Sequence, residues 1–382
     1  MGAPQFYVAA PLGERTAGPE ALTQLVDAIR RRGLEAFLLP MRNYRGRRNH
    51  PEYDRYDFEV AEHMPRSDDA YLVIPEVSPL ESFRELQRTP VERTWMGWFS
   101  VNNSPDPRAR FYRPGPSCCS PYPPPGDPTF DPTNSGFDEP ADHDLQTPLP
   151  GRLFASTREA MRRRGPARPG NLEHIAAESV SIRYAKHVAD SGVGFFAQSY
   201  YARGFCEQVF HRSAHLITDP IRIVEIAPQK RERNVVLFNK AKSWSLVPFV
   251  AELLPDVEFR SVDGLPFDRV SEELAKATVY LELGHLPGRD RMPREAAHFG
   301  TPVVLLARGA GYCWGDAPLP MTHRVAFRDG WPAQAAAALR LVLDDPEQAA
   351  RQQEPYRRWV SGERDRYESA IDYWLADALS RT

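Results

Sequence analysis

The sequence predicts an α/β protein of two domains, each built around a parallel β-sheet. Short apolar runs alternate with helix-like segments along both halves of the chain, the rhythm of a parallel sheet covered on both faces. The 382 residues suffice for two domains of ordinary size, and 42% of them are apolar, so a packed core is expected. Residues 278–311 spell out one unit in full: strand, basic loop, short helix, strand.

The first domain is expected over residues 1–215. Residues 6–10 read as a strand, followed by a loop holding Gly13 and Gly18. Pro19 opens a helix that runs to Arg32, with Leu22, Leu25, Val26 and Ile29 on one face, and Gly33 ends it. Residues 36–39 form the next strand, completing a βαβ opening. The loop lacks a Gly-x-Gly-x-x-Gly fingerprint, so no dinucleotide is assigned to it. Strands follow at 70–74, stopped by Pro75, and at 93–101, where Trp95, Trp98 and Phe99 read as core. Residues 104–170 differ: proline-rich, with short polar runs, they are expected to be irregular or disordered, with one short helix near 158–164. A loop this long is uncommon and suits a lid. A helix capped by Asn171, a strand at 194–198 and a helix from Ser199 complete the domain.

Residues 216–226 cross to a second domain, expected over 216–360. Its strands are placed at 233–238, 257–262, 279–283 and 303–306; residues 239–242 follow the first strand, a helix then runs to Leu254, and further helices are placed at 267–277 and 334–343. A last segment, 361–382, carries Tyr367, Ile371, Trp374, Leu375 and Leu379 at helical spacing, a stripe made for packing.

The 278–311 unit carries the chemistry. After strand 279–283 comes a loop with Gly284, Pro287 and Gly288, then Arg289, Asp290 and Arg291. Pro293 sits where a first helical turn begins, Gly300 closes the helix, and Pro302 precedes the next strand. A helix N-terminus with free N–H groups suits an anion, and Arg289, Arg291 and Arg294 crowd it. A diphosphate fits. Ligands of parallel sheets lie beyond the carboxyl ends of strands. Lys240, Lys242, His285, Arg289 and Arg291 all follow strands and can converge there.

A net charge of −3 favours neither nucleic acid nor an anionic membrane as partner. No apolar run approaches membrane-spanning length, and the N-terminus lacks the pattern of a signal peptide, so a cytoplasmic protein is expected. Cys118, Cys119, Cys206 and Cys313 lack zinc spacing, and the adjacent pair is expected to be free thiols. No nucleophile elbow is present.

The stretch Arg-Glu-Ala-Ala-His-Phe-Gly-Thr-Pro-Val-Val from Arg294 resembles the donor-nucleotide segment of GT-B glycosyltransferases. The longer string from Gly284, Gly-His-Leu-Pro-Gly-Arg-Asp-Arg-Met-Pro-Arg-Glu-Ala-Ala, is similar to a bacterial GT-B-like family with a Gly-His-x-Pro-Gly-Lys-Asp-Arg-x-Pro-Arg-Glu-Ala-Ala signature. Residues 98–103 and 198–202 resemble further segments of that family, and residues 17–22 and 32–36 resemble the GT-B opening. The resemblance implies two Rossmann-like domains facing a cleft, with the proline-rich insert in the first and the terminal helix packed back on it. It implies a metal-independent transferase, without cofactor, that moves a sugar from a nucleoside-diphosphate donor to a glycan or small-molecule acceptor such as a natural product.

It places the donor diphosphate on Lys240, Lys242, Gly288, Arg289, Arg291 and Arg294, and the donor ribose on Glu295. The acceptor-side loop would hold Gly13, Gly18 and Asn102. Two departures matter. Many retaining GT-B enzymes have a glutamate eight positions before the one like Glu295, and here that position is Pro287. Asn102 stands where the family has an acid. His285 and Asp290 are the catalytic candidates, while the base, the stereochemical outcome and the oligomeric state stay open. Two alternatives accompany this reading: an epimerase-like enzyme on the same fold, and a non-catalytic nucleotide-sugar-binding partner of a transferase.

Overall fold

The computed structural model describes residues 2–77, 89–104, 106–110, 112, 114, 120–123, 192–227 and 229–381. Two parallel sheets organise them. In the first domain the elements are β1 (Gln5–Ala10), α1 (Ala17–Arg30), β2 (Glu35–Pro40), β3 (Ala70–Pro75), β4 (Thr94–Trp98), β5 (Gly194–Ala197), α2 (Tyr200–Phe210) and β6 (His215–Leu216). The sheet order is β2-β1-β3-β4-β5-β6, with every pair parallel. Gly33 adopts φ +75° just after α1, a left-handed conformation that glycine takes without a Cβ penalty.

The second domain runs through β7 (Val235–Phe238), α3 (Lys240–Ser243), α4 (Val247–Ala251), β8 (Glu258–Ser261), α5 (Phe267–Lys276), β9 (Val279–Glu282), α6 (Arg291–His298), β10 (Val303–Ala307), β11 (Arg324–Ala326) and α7 (Trp331–Asp344). Helices α8 (Pro346–Gln352), α9 (Glu354–Ser361) and α10 (Glu363–Ser380) close the chain. The sheet order is β11-β10-β9-β7-β8, again all parallel.

Each sheet has both faces covered. Phe6, Val8 and Trp95 pack with Leu22, Leu25 and Ile29 of α1 and with Ile371, Trp374 and Leu375 of α10. The terminal helix therefore lies on the first domain, where ion pairs of Arg31 with Glu368 (2.9 Å) and Arg32 with Asp372 (2.5 Å) flank the apolar contact. On the opposite face Met96, Trp98 and Phe195 meet Phe205 and Phe210 of α2. In the second domain one sheet face meets α4 and α7, and the other meets α5, α6 and Tyr356 of α9.

Three local expectations change. Residues 240–243 already form the short helix α3, and the helix expected after Lys242 starts only at Val247, with Pro248 in the first turn of α4 where no N–H is needed. Helix α6 starts at Arg291, two residues earlier than expected, with Pro293 still inside the first turn where no N–H is needed. Strand β11 and helices α8 and α9 were not anticipated: β11 has only three residues, and α8 and α9 begin with Pro346 and Pro355 near their starts.

The helices expected at 158–164 and 171–190, most of the 104–170 insert, and Cys118 and Cys119 lie outside the described residues. Of the described residues of the insert, Ala109 and Tyr112 pack on the first-domain core, and 120–123 meet the second domain. Trp314 N–H donates to Ser120 O at 2.8 Å, Arg324 donates to Pro121 O, and Tyr122 packs on the second-domain core. The Cys206 thiol is free and buried, and Cys313 is disulfide-bonded. Among the described residues no helix is long and apolar enough to cross a membrane.

Candidate functional site

In the second sheet the order reverses between β7 and β9, and ligands of such sheets sit at this switch point, beyond the strands' carboxyl ends. The loops leaving β7 and β9 meet there. After β7, Asn239 caps α3 by accepting from Ala241 N–H at 2.9 Å, which directs Lys240 and Lys242 to the sheet edge. After β9, Glu282 is fully buried and accepts from Ser243 Oγ (3.1 Å), Tyr280 Oη (2.8 Å) and Gly284 N–H (3.0 Å). It fastens the two loops together. Burial raises its pKa, and Lys242 opposes that. A Cβ on Gly284 would lie 2.6 Å from Lys242 Cβ, so only glycine allows this approach. Lys242 pairs with Asp290, whereas the exposed Lys240 has no hydrogen-bond or ion-pair partner among the described residues.

The 284–290 loop is pressed against the first domain. Val101 N–H donates to Pro287 O at 2.9 Å, and Arg289 N–H donates to Gln198 Oε1 at 3.3 Å. His285 Nε2 lies 2.7 Å from Asn102 Oδ1 and donates to it, which leaves Nδ1 as the lone-pair nitrogen. Two carboxylates invisible as site residues in the sequence hold this contact. Glu76, at the end of β3, accepts from Phe99 N–H (3.1 Å) and Ser100 N–H (2.6 Å), and burial pushes it up to about 7. Asp316, from the second domain, caps first-domain helix α2 through Tyr200 N–H (2.8 Å) and Tyr201 N–H (2.9 Å), and burial pushes it up to about 6. The one available signal was position: Glu76 directly follows an apolar strand, at its carboxyl end.

The three neighbouring arginines have different surroundings. Arg291 reaches across the cleft to Glu20 on α1, at 2.5 Å, and its Nε is buried without a partner. Burial alone would raise Glu20, but Arg291, Tyr56 and Arg55 together lower it. Arg289 is buried, stacked 3.4 Å from the centre of the Trp359 ring and bonded to Glu363 at 2.8 Å. Burial lowers its pKa to about 10, against the pull of Glu363. Arg294, 1% exposed, donates to Glu363 (3.0 Å), Asp219 O (2.7 Å) and Arg289 O (2.9 Å).

The open diphosphate set is therefore smaller than expected. Arg289 and Arg294 are turned inward: Glu363 accepts from both and backbone carbonyls accept from Arg294, while Arg289 Nε is buried with no partner among the described residues. Gly288 is packed on backbone: a Cβ there would lie 1.9 Å from Phe99 O. Asn102 is taken up by His285, and Gly18 lies inside the first turn of α1 rather than in the preceding loop, where Gly13 sits at φ +82°. Lys240, Lys242 and Arg291 remain at the cleft. Glu295, in the second turn of α6, is 5% exposed and has no hydrogen-bond or ion-pair partner among the described residues. Burial raises its pKa, with Arg291 and Arg294 opposing. Its oxygens, which only accept when ionised, are therefore available to a ligand.

Solved structures share this architecture. Sucrose-phosphate synthase from Thermosynechococcus elongatus is 11% identical, over 98% of this chain and 97% of that one, with a TM-score of 0.54. The fold is of the GT-B type. More distant are the glycotransferase of kitacinnamycin (11% identity, TM-score 0.47, covering 98% of this chain and 100% of that one) and a calicheamicin glycosyltransferase (12%, 0.44, 98% of each). No family model and no curated protein matches the sequence.

The His285 environment predicts a pH effect. Burial, with Arg308 and Lys242 nearby, lowers the imidazole from its ordinary 6.5 to about 3. Between these values the unfolded chain binds a proton that the folded protein refuses, so stability falls as pH falls below 6.5. His285→Gln removes this contribution. Relative to the variant, the native protein should lose on the order of 1 kcal/mol between pH 6.5 and 5. Glu76 and Asp316, whose raised values act in the opposite sense, are common to both proteins and cancel. Urea unfolding at stepped pH measures the difference, and a pH-independent difference would exclude the buried neutral imidazole.

Proposed function

We propose that the protein is a metal-independent glycosyltransferase that moves a sugar from a nucleoside-diphosphate donor to a glycan or small-molecule acceptor. The signature beginning at Gly284, which resembles that of a bacterial GT-B-like family, supports this reading. The observation that carries this reading is Glu295: a carboxylate on a buried residue with no hydrogen-bond or ion-pair partner among the described residues, under the influence of Arg291 at the start of the same helix and of Glu20 of the first domain. Its two oxygens suit the vicinal hydroxyls of a donor ribose. The diphosphate would lie at the N-terminus of α6, between Lys240, Lys242 and Arg291. Glu20 and Asp290, which neutralise Arg291 and Lys242 here, are the counter-charges a diphosphate would replace.

Transfer breaks the bond between the anomeric carbon and the diphosphate oxygen, and forms one from that carbon to an acceptor hydroxyl oxygen. Negative charge grows on the departing diphosphate. Fixed cations and helix N–H groups in a dry cleft stabilise that charge more than they stabilise the intact donor. The acceptor hydroxyl must lose its proton. His285, neutral and oriented by Asn102, has a lone pair at Nδ1 in this region.

Glu295→Gln tests the ribose role. Affinity for a ribonucleoside diphosphate should fall by about 1.5–3 kcal/mol, the range for a hydrogen bond to a charged group, and fall less for the 2′,3′-dideoxy analogue. Calorimetric titration reads both. If the dideoxy form binds the unmodified protein as tightly as the ribonucleotide, Glu295 does not hold a ribose.

A further inference from the structure

A second cavity, apart from the switch-point residues, measures ≈ 530 Å³ and lies where the chain crosses between the domains. Four guanidiniums from separate parts of the sequence line it: Arg31 just after α1, Arg55 from the loop after β2, Arg222 from the crossing segment, and Arg364 from the first turn of α10. Only two carboxylates, Asp27 and Glu363, share the lining, so its formal charge is 4 − 2 = +2.

Both carboxylates are already committed. Glu363 accepts from Arg289 (2.8 Å), Arg294 (3.0 Å) and Ile221 N–H (3.2 Å). Asp27 accepts from Arg31 Nε (3.1 Å) and Asp57 N–H (3.0 Å). Arg222 and Arg364, by contrast, make no hydrogen bond among the described residues. Their nearest carboxylates, Asp268 and Glu368, stand 3.9 and 3.6 Å away. Arg222 is held in place by stacking, its guanidinium 4.3 Å from the centre of the Phe267 ring, so its N–H groups are oriented without being used. Ile221, Ile223 and Val360 give the cavity an apolar wall.

We propose that this hinge cavity binds a phosphoryl anion, either free or carried by a small metabolite, at a site lined by none of the residues assigned to the donor. A planar guanidinium presents paired N–H groups that match phosphate oxygens, and those of Arg222 and Arg364 are the ones left unused among the described residues. Such a ligand touches the first domain through Arg31 and Arg55, and both interdomain connections through Arg222 and Arg364. Its occupancy therefore bears on how the two domains sit against each other, which makes it an effector site.

Pyrophosphate is the probe, read by titration calorimetry. A Lys240→Ala/Lys242→Ala variant removes two cations of the cleft and leaves the hinge cavity unaltered. It should still bind pyrophosphate. Adding Arg222→Gln and Arg364→Gln should weaken that binding at least tenfold, and Arg222→Lys with Arg364→Lys on the same background should retain most of it. Both arginines are partly exposed, so thermal melting will show all variants folded. The proposal is overturned if the Lys240/Lys242 variant binds no pyrophosphate, or if the further glutamine substitutions leave its affinity unchanged. Neither result depends on whether the cleft takes a nucleotide sugar.

Discussion

Arg294→Ala should destabilise the protein by about 3–5 kcal/mol, the range for breaking a buried ion pair from one side. Arg294 is 1% exposed and joins three separate segments: the 284–290 loop through Arg289 O, the interdomain crossing through Asp219, and α10 through Glu363. Alanine leaves Glu363 buried with Arg289 as its one remaining cation, and leaves the carbonyls of Asp219 and Arg289 without this donor. Lysine would not rescue it, because a single ammonium cannot span acceptors arranged around a planar fork. Chemical denaturation gives the stability. A loss below about 1 kcal/mol, the level of an exposed pair, would show that Arg294 is not the fastener described.

Gly288→Ala should cost about 3 kcal/mol, the upper part of the range for overpacking a closed interior. The new methyl would lie 1.9 Å from Phe99 O and 2.8 Å from Gln198 Oε1. A glutamine side chain can rotate away. A backbone carbonyl fixed in a strand-end turn by the Glu76 bonds to Phe99 and Ser100 cannot. The strain should be relieved by moving the 284–290 loop off the first domain, which removes the bonds to Val101, Gln198 and Asn102 together. Faster amide exchange at Val101 and Arg289 should accompany the loss in stability. Gly18→Ala is the control: its Cβ would meet nothing within 4 Å, and its place in the first turn of α1 makes the substitution neutral or slightly stabilising. Equal stability for both variants would mean that the domains do not close as described.

The strands and most helices were legible because their causes are local. The buried run 279–282 between polar turns can only be a strand, and the Leu22, Leu25, Val26 and Ile29 spacing can only bury one side of a helix. Parallel pairing followed from the alternation of strands with helices. The switch point could be anticipated as well, because it needs only strands that end in loops bearing lysine and arginine.

Glu76, Glu282 and Asp316 were not legible. Each is a common surface residue type, and nothing nearby in sequence announces that it will be buried and bonded to another segment, Glu76 and Asp316 to backbone N–H groups and Glu282 to the Ser243 hydroxyl.

The arginines show where local reasoning ends. The sequence by itself determined the two parallel α/β sheets and placed Arg289, Arg291 and Arg294 at one helix start. It could not rank them, because all three carry the same charge and lie within six residues of one another. Tertiary structure decided that Arg291 meets Glu20 across the cleft, while Arg289 and Arg294 close on Glu363 and the crossing segment. The physical reason is desolvation. A guanidinium loses water only where carboxylates and carbonyls replace it, and those partners lie about 70 and 271 positions away in the chain.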